Sequence, residues 1–165
     1  MAAPERRIGF EPVVDTDTRL LILGSLPGDA SLRAARYYAH PRNAFWRLLG
    51  GVLGEDLDTL AYEARLERLK ARRIGLWDVI ASAERSGSLD AAIRSPQAAD
   101  LRGVVAGLPE LRAVAFNGGL AARLGRRILE DHADLVLLDL PSSSPAHARP
   151  LAEKAARWAA LSDFV

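Results

Sequence analysis

Three short apolar segments constrain the fold of this chain more than any other feature. They span residues 19–23, 113–116 and 135–140, and each is followed directly by a glycine, an asparagine or a proline. An uninterrupted apolar segment of this length, bounded by turn residues, is typical of a β-strand buried on both faces. Strands of that kind belong to parallel sheets that carry helices on both sides.

Segments with helical periodicity alternate with these strands. Residues 44–53 repeat apolar side chains at the spacing of a helix and end in a glycine-rich stretch. Further helices are predicted over residues 57–72, 98–107, 120–131 and 150–162, a further strand over 75–80, and irregular structure over 1–18 and 82–96. This order predicts an α/β fold in which helices flank a parallel sheet, built as one domain over residues 1–165.

Composition excludes several classes of function. The chain has 165 residues and no cysteine, which excludes thiolate catalysis, iron–sulfur clusters and cysteine-ligated zinc. A net charge of +1 means that any nucleic acid must be bound by a local basic patch. The absence of a long apolar run and of a signal-peptide pattern predicts a cytoplasmic protein. The abundance of Ala, Arg and Leu is typical of a high-GC bacterial genome.

The segment over residues 24–46, GSLPGDASLRAARYYAHPRNAFW, is predicted to be a long loop. Loops of that length in compact domains are either functional or disordered, and the aromatic content argues against disorder. Ligand sites of open α/β sheets lie beyond the carboxyl ends of the strands. This loop, the turn at Asn117 and the loop at Ser142 all follow strands, so we expect the three to converge. Four arginines surround the first loop and suit phosphate contacts: Arg33, Arg36, Arg42 and Arg47.

The individual side chains of these loops admit structural roles as well as functional ones. Asn43 precedes a helix and could cap it, His40 could hold the backbone, and Asn117 could occupy a left-handed turn. Of the adjacent Tyr37 and Tyr38, one is expected to face away from the core, where it could stack on a planar base. The three histidines lack the spacing of metal ligands, so no metal site is expected.

Four motifs of the chain resemble those of the uracil-DNA glycosylase superfamily, in the expected order and over nearly the whole length. They are GSLPG at residues 24–28, YAHPRNAFW at 38–46, FNG at 116–118 and SSSPA at 142–146. Within the superfamily they are most similar to the DNA-deoxyinosine (hypoxanthine-DNA) glycosylase branch. The resemblance implies a three-layer α/β/α sandwich around a four-stranded, mostly parallel sheet.

The same resemblance implies an activity. It is that of a monofunctional DNA glycosylase of base excision repair, which flips a deaminated base out of the DNA and hydrolyses its N-glycosidic bond. No cofactor is expected, and the partner is DNA that contains a deaminated base, bound by a monomer.

Roles for single residues follow from matched motif positions. Asn43 matches the catalytic asparagine of the branch, with His40 beside it, and Tyr38 and Asn117 match the residues that stack on the base and read its edge. The first motif is expected to form the floor of the base pocket through Gly24, Ser25 and Leu26. The residues expected to hold the DNA backbone are Arg42, Ser142, Ser143, Ser144, Pro145, Ala146 and His147.

Three positions depart from the superfamily pattern. Leu26 stands where the best-known uracil enzymes carry an acidic residue and other branches an asparagine. Ser142 replaces the usual His or Asn, and Ala146 is too small to act as the usual leucine wedge, so His147 or another loop could fill the vacated base site. We therefore expect the carbonyl oxygen of Asn43 to position water. We expect Asn117 and backbone N–H groups to stabilise the departing base.

Two alternatives remain open from the sequence. One is excision of uracil or of mismatched bases. The other is a non-catalytic module that binds damaged DNA, which the missing acidic residue of the first motif favours.

Overall fold

The computed structural model describes residues 5–165, which fold around a four-stranded parallel sheet. The strands are β1 (Arg6–Ile8), β2 (Leu20–Gly24), β3 (Ile74–Asp78), β4 (Ile80–Glu84), β5 (Arg94–Ala98), β6 (Ala113–Asn117) and β7 (Val136–Leu140). The central sheet has the order β3-β2-β6-β7, and all its strands are parallel. The other three strands form a small antiparallel sheet in the order β1-β4-β5.

Within residues 5–165, six α-helices connect and cover these strands. They are α1 (Asp29–Ala34), α2 (Phe45–Leu53), α3 (Tyr62–Ala71), α4 (Leu101–Ala106), α5 (Gly119–Leu129) and α6 (Leu151–Trp158), and three 3₁₀ segments lie at Leu57–Thr59, Asp90–Ala92 and Ala159–Phe164. None of the helices in residues 5–165 is long and apolar enough to cross a membrane.

Strand β2 shows why the chain forms three layers. All five of its residues are buried, and successive side chains of a strand point to opposite faces of the sheet. Leu20 and Ile22 pack into a core cluster with residues of α2 and α6, whereas Leu21 and Leu23 pack into a second cluster with residues of α4 and α5. Burying each such leucine stabilises the fold by about 1.5–3 kcal/mol. The predicted α/β/α sandwich is confirmed.

Helix α2 is the element that fixes the end of the predicted loop. It buries Phe45, Leu48 and Leu49 against the sheet, at the spacing that the sequence showed. The loop itself is shorter than predicted, because residues 29–34 form helix α1. This helix is only six residues long, and its one buried residue is Ser31, so its sequence carries no apolar stripe that would have revealed it.

The small antiparallel sheet was not predicted. Strand β1 lies in the segment predicted to be irregular, of which residues 1–4 fall outside the described residues. Strands β4 and β5 lie mostly in the segment 82–96 that was predicted to be a polar loop. Every residue of β5 is exposed and one of them is Pro96, so no apolar alternation marks it as a strand.

The strand predicted over residues 75–80 is divided between the two sheets. β3 ends at Asp78, and β4 begins at Ile80. At the break, the Val79 N–H donates to the Gly24 carbonyl (2.8 Å), and the Val79 carbonyl accepts from the Ala99 N–H (2.9 Å). Val79 is therefore the residue at which the chain passes from the central sheet to the smaller one. The break places Asp78 at the carboxyl end of a central strand, directly beside Gly24.

Candidate active site

The three predicted loops converge on Ser143. Its N–H donates to Asn117 Oδ1 (2.9 Å), and its Oγ accepts from Asn117 Nδ2 (2.9 Å). Its carbonyl accepts from the N–H of Ala44, the residue before α2 (3.0 Å). One buried serine thus ties the loop after β7 to the end of β6 and to the start of α2. The predicted convergence is confirmed.

Gly24 forms a floor on which two polar side chains meet. A Cβ atom at this position would lie 2.7 Å from Asp78 Oδ1 and 3.0 Å from Tyr38 Oη. Only glycine leaves enough room for both side chains to approach the backbone so closely. This packing is compatible with the substrate-binding role predicted for Gly24, which stays a prediction.

Tyr37 and Tyr38 face different ways, as expected for adjacent residues. Tyr37 is buried in the core, whereas Tyr38 is partly exposed. Phe45 covers one face of the Tyr38 ring, with the two centroids 3.8 Å apart and the planes at 9°. The backbone of Tyr38 lies in the left-handed region at φ 54°, an unfavourable conformation for a tyrosine. Burial of the Tyr38 hydroxyl raises its pKa.

Asp78 is a buried carboxylic acid at this site. Its side chain belongs to a residue that is only 4% exposed, and its Oδ2 has no hydrogen-bond partner among residues 5–165. Burial and, to a lesser extent, the nearby Asp90 raise the pKa of Asp78 to about 7, against the opposing effect of Arg85. The carboxyl is therefore partly neutral at pH 7.

The presence of Asp78 corrects one conclusion drawn from the sequence. None of the residues predicted from the sequence to form the site carries a carboxyl group. Asp78 reaches it from a fourth element, because the predicted strand over 75–80 enclosed a residue that in fact ends β3. An acidic residue inside an otherwise apolar segment, close to where a parallel strand could end, was the available clue.

Ser25 and Leu26 contribute to the floor in different ways. Ser25 Oγ donates to Asp90 Oδ1 (2.6 Å), which brings a second carboxylate close to the site. Leu26 is buried in the core cluster shared with α4 and α5. Its side chain serves packing, so its part in substrate binding would have to come from its backbone.

A buried arginine holds the floor in place. Arg85 is 1% exposed, donates from Nε to the Gly87 carbonyl (2.7 Å) and from Nη2 to the Pro27 carbonyl (2.7 Å), and lies 3.7 Å from Asp29 Oδ1. Its burial lowers its pKa, and Asp29 opposes that effect. The segment after β4 is thereby fixed against the first motif.

Asn43 and His40 form a compact turn before α2. Asn43 Oδ1 accepts from the Phe45 N–H (3.0 Å), and the Asn43 N–H donates to the His40 carbonyl (2.9 Å). His40 Nδ1 accepts from the Arg42 N–H (3.1 Å), so this nitrogen carries no proton. Ala44 is the N-cap residue of α2, so Asn43 lies one residue before the cap and satisfies the first N–H of the helix. The catalytic role predicted for Asn43 and His40 is compatible with this arrangement and stays a prediction.

The turn borders a cavity of about 390 Å³, to which Tyr38, His40 and Asn43 contribute. Arg36 and Arg65 lie across it, each with its guanidinium over an aromatic ring, and Asn117 and Asp78 are not part of its lining. Residues 5–165 contain no group of three or more His, Cys, Asp or Glu side chains placed to hold a metal ion.

Asn117 is more fully bonded than a free base-reading side chain would be. Both its oxygen and its nitrogen bond Ser143, which leaves one N–H of the amide for a ligand. Its predicted role as the reader of the base edge is untested, and its structural role in holding the Ser143 loop is established by these bonds.

The loop predicted to hold DNA is ordered by its own side chains. Ser142 Oγ accepts from the Ser144 N–H (3.1 Å), and Ser144 Oγ accepts from the Ala146 N–H (3.2 Å). The buried Lys154 of α6 donates to the Ser144 carbonyl (3.2 Å). Pro145 and Ala146 are exposed at the tip.

Two predicted DNA contacts differ in their surroundings. Arg42 is exposed and has no ion-pair partner among residues 5–165, so its guanidinium is free to meet a phosphate. His147 is half-buried, and burial together with Lys154 and Arg149 lowers its pKa, which favours the neutral imidazole. His147 is therefore suited to a base stack or a hydrogen bond rather than to a charged phosphate contact.

Comparison with known proteins decides the family. The family model of the uracil DNA glycosylase superfamily matches residues 11–164. This chain belongs to the uracil DNA glycosylase superfamily. The resemblance seen in the four motifs is therefore confirmed.

Individual relatives in the superfamily are similar along nearly their whole length. A protein of Methanosarcina barkeri named hypoxanthine DNA glycosylase is 42% identical over 156 residues, which cover 93% of this chain and 96% of that protein. A protein of the same name from Methanosarcina acetivorans is 41% identical over 153 residues, which cover 93% of this chain and 96% of that protein. Both organisms are archaea, so the relatives give no support to the bacterial origin suggested by composition.

A solved structure of the superfamily has the same fold. The solution NMR structure of a candidate uracil DNA glycosylase from Methanosarcina acetivorans superimposes with a TM-score of 0.85 at 41% identity. The match covers 95% of this chain and 96% of that one.

Proposed function

We propose that this protein is a monofunctional DNA glycosylase that removes deaminated bases from DNA, hypoxanthine first among them. The observation that carries the proposal is the 42% identity, over 93% of the chain, to a protein named hypoxanthine DNA glycosylase. The convergence of the three loops at the carboxyl end of the sheet supports it, because that is where an α/β sheet binds its ligand. We further propose that the protein acts as a monomer in the cytoplasm.

The proposed substrate complex uses the Tyr38 ring as a platform. Phe45 holds one face of the ring, and the ring remains partly exposed. A base that has been flipped out of the duplex would stack on the other face, an interaction that contributes about 1–3 kcal/mol. Stacking is insensitive to base identity, so specificity must come from the groups at the edge of the base.

The proposed reaction is hydrolysis of the bond between C1′ of the deoxyribose and N9 of hypoxanthine. The bond breaks with its electron pair on the base, and the water oxygen adds to C1′ and keeps one hydrogen as the new hydroxyl. The other proton of the water is released, and the base takes up one proton in exchange. Asn43 positions the water through Oδ1, whose second lone pair is not used by the Phe45 N–H. Hydrogen bonds from backbone N–H groups and from the remaining N–H of Asn117 stabilise the departing base.

The DNA backbone is proposed to lie along Arg42 and the loop 142–147. The exposed Arg42 supplies charge, and the loop supplies hydroxyl groups and exposed atoms at Pro145 and Ala146. Phosphate contacts of this kind position the duplex without reading its sequence. Substitutions that remove these phosphate contacts should weaken binding to duplexes of every sequence by the same factor.

The direct test is a panel of matched duplexes that differ in one base, which is deoxyinosine, deoxyuridine, deoxyxanthosine or an undamaged deoxyadenosine. Strand cleavage after alkali measures the abasic sites that are formed. Fastest cleavage at deoxyinosine is expected. Faster cleavage at deoxyuridine would make uracil the substrate, and tight binding of deoxyinosine DNA without alkali-labile sites would indicate a non-catalytic damage-binding module.

A further inference from the structure

Two buried polar atoms without a hydrogen-bond partner lie on side chains that meet at Gly24. They are Asp78 Oδ2 and Tyr38 Oη, and neither is bonded to any group among residues 5–165. The two side chains approach within 2.7 Å and 3.0 Å of the point where a Cβ of Gly24 would stand. A buried polar atom left unpaired costs about 1–3 kcal/mol, and the unpaired Asp78 Oδ2 belongs to a carboxyl that can both donate and accept, so it points to a site that a ligand completes.

We propose that Asp78, as a neutral carboxylic acid, recognises the lactam edge of the flipped base. The Asp78 O–H donates to the carbonyl oxygen of the base, and the other carboxyl oxygen accepts from the adjacent ring N–H. Hypoxanthine presents this pair as O6 and N1–H, and uracil and xanthine present the same chemistry. This inference rests on the proposed glycosylase function and names the residue that reads its substrate.

The position of Asp78 suits this role better than that of Asn117. Asn117 already uses its oxygen and one N–H on Ser143, whereas the carboxyl of Asp78 has a free oxygen. A neutral carboxyl carries one donor and one acceptor side by side, which is the complement of a lactam. Asn117 then acts as the residue that positions the Ser143 loop next to Asp78.

The surroundings of Asp78 favour the neutral form. Burial and the negative charge of Asp90 raise its pKa to about 7, against the opposing effect of Arg85. The remaining titratable groups that face it are the phenols of Tyr37 and Tyr38, whose own pKa values are raised, so they are neutral. A base bound against the carboxyl would exclude further water and favour protonation still more.

The neutral form also suits the chemistry. When the bond to C1′ breaks, negative charge spreads over the base and onto O6. A hydrogen bond from a neutral carboxyl to O6 becomes stronger as that charge develops, which lowers the barrier. An ionised carboxylate in the same place would repel the departing base, so the rate should fall as Asp78 loses its proton.

The test compares wild type, Asp78→Asn and Asp78→Ala on deoxyinosine duplex between pH 5.5 and 8, below the range in which the N1–H of the base itself ionises. For wild type, kcat/KM should fall about tenfold per pH unit above the pKa of the free enzyme, near 7. Asp78→Asn keeps a donor and an acceptor but cannot titrate, so its profile should be flat at alkaline pH and within about tenfold of wild type at pH 6. Asp78→Ala should lose about 100-fold or more at pH 6.

A matched control and a second variant make the test specific. Asp139 also lies on a central strand, but it is exposed and paired with Arg126 (2.8 Å), so Asp139→Asn should leave the profile unchanged. Asp90→Asn removes a charge that raises the pKa of Asp78, so it should move the alkaline fall to lower pH without abolishing it.

The outcomes separate this inference from the proposed function. If wild type excises the base and Asp78→Ala is equally active, the role of Asp78 is refuted while the glycosylase function stands. The same conclusion follows if the activity of Asp78→Asn still falls at alkaline pH. Binding of deoxyinosine and deoxyadenosine duplexes by the same variants is measured in parallel. If wild type releases no base, equal binding of deoxyinosine DNA by wild type and Asp78→Ala would still refute the inference.

Discussion

Gly24 and Asp78 stand opposite each other at the ends of two neighbouring parallel strands, and the missing side chain of one makes room for the carboxyl of the other. A Cβ at Gly24 would lie 2.7 Å from Asp78 Oδ1, well inside van der Waals contact. The glycine of the first motif is thus required by a neighbouring strand as well as by the turn that follows it. The pair links the motif that identifies the family to a carboxyl group outside every motif.

Gly24→Ala should therefore damage the site and the fold together. Its methyl group would have to displace Asp78 and Tyr38 Oη, and overpacking of this kind costs about 1–3 kcal/mol. Thermal or urea unfolding measures this loss, and deoxyinosine excision should fall by at least tenfold. Gly51→Ala is the matched control, since nothing lies within 4 Å of a Cβ there and the helix should gain about 0.5–1 kcal/mol. Equal behaviour of the two variants would contradict the close packing at Gly24.

Asn43 combines two roles that substitution can separate. Asn43→Ala removes the acceptor for the Phe45 N–H and should cost about 1 kcal/mol of stability as well as most of the activity. Asn43→Ser keeps an oxygen that can accept from the backbone, so its stability should stay near wild type. Its hydroxyl is too short to place a water as the amide does. If Asn43→Ser excises hypoxanthine at the wild-type rate, water positioning by Asn43 is excluded.

Tyr38 is expected to bind the base through its ring and not through its hydroxyl. Tyr38→Ala should weaken binding of deoxyinosine DNA by about 1–3 kcal/mol, which is roughly 5- to 150-fold in Kd. Tyr38→Phe keeps the ring on Phe45 and removes a buried hydroxyl that has no partner among the described residues. It should bind DNA normally and unfold at a higher temperature than wild type. Fluorescence anisotropy with labelled duplex measures the affinity, and loss of binding in Tyr38→Phe would assign the contact to the hydroxyl.

The sequence predicted those elements in which burial against the core determines how apolar residues are spaced along the chain. Strands such as β2 and β6 are buried on both faces, and their apolar residues form uninterrupted runs. Helix α2 carries a strong apolar stripe because one side of it packs on the sheet. The small sheet escaped prediction because β5 is exposed and polar, and its pairing with β4 depends on tertiary contacts that leave no trace in local sequence.

The same distinction applies to the site. Its loops were predictable from glycine, proline and asparagine after buried strands, and the family motifs then assigned roles within them. Asp78 was not predictable in this way, because its importance depends on where β3 ends. That end lies at Val79, whose N–H still bonds the Gly24 carbonyl of β2 but whose carbonyl accepts from the Ala99 N–H of the smaller sheet. A difference of two residues in a strand boundary thus decided whether a carboxyl group belonged to the core or to the site.

The raised pKa of Asp78 predicts how stability depends on pH. In the unfolded chain an aspartate has a pKa of about 3.9, whereas in the folded protein the pKa of Asp78 is about 7. Between these values the folded state binds more protons, so its contribution to stability is full below pH 4, falls as the pH rises to about 7, and is constant above. The difference between these two pKa values corresponds to about 4 kcal/mol at most.

Asp78→Asn should therefore stabilise the protein at pH 8 relative to wild type, by about 2–4 kcal/mol, and have a much smaller effect at pH 4. Urea unfolding followed by tryptophan fluorescence at both values measures the difference. Asp139→Asn is the appropriate control, because an exposed carboxylate paired with Arg126 should change stability by less than about 1 kcal/mol at either pH. A wild-type protein that gains stability from pH 4 to pH 8 relative to Asp78→Asn would show that the carboxyl is ionised in the folded state. That result would remove the basis for its action as a donor to the base.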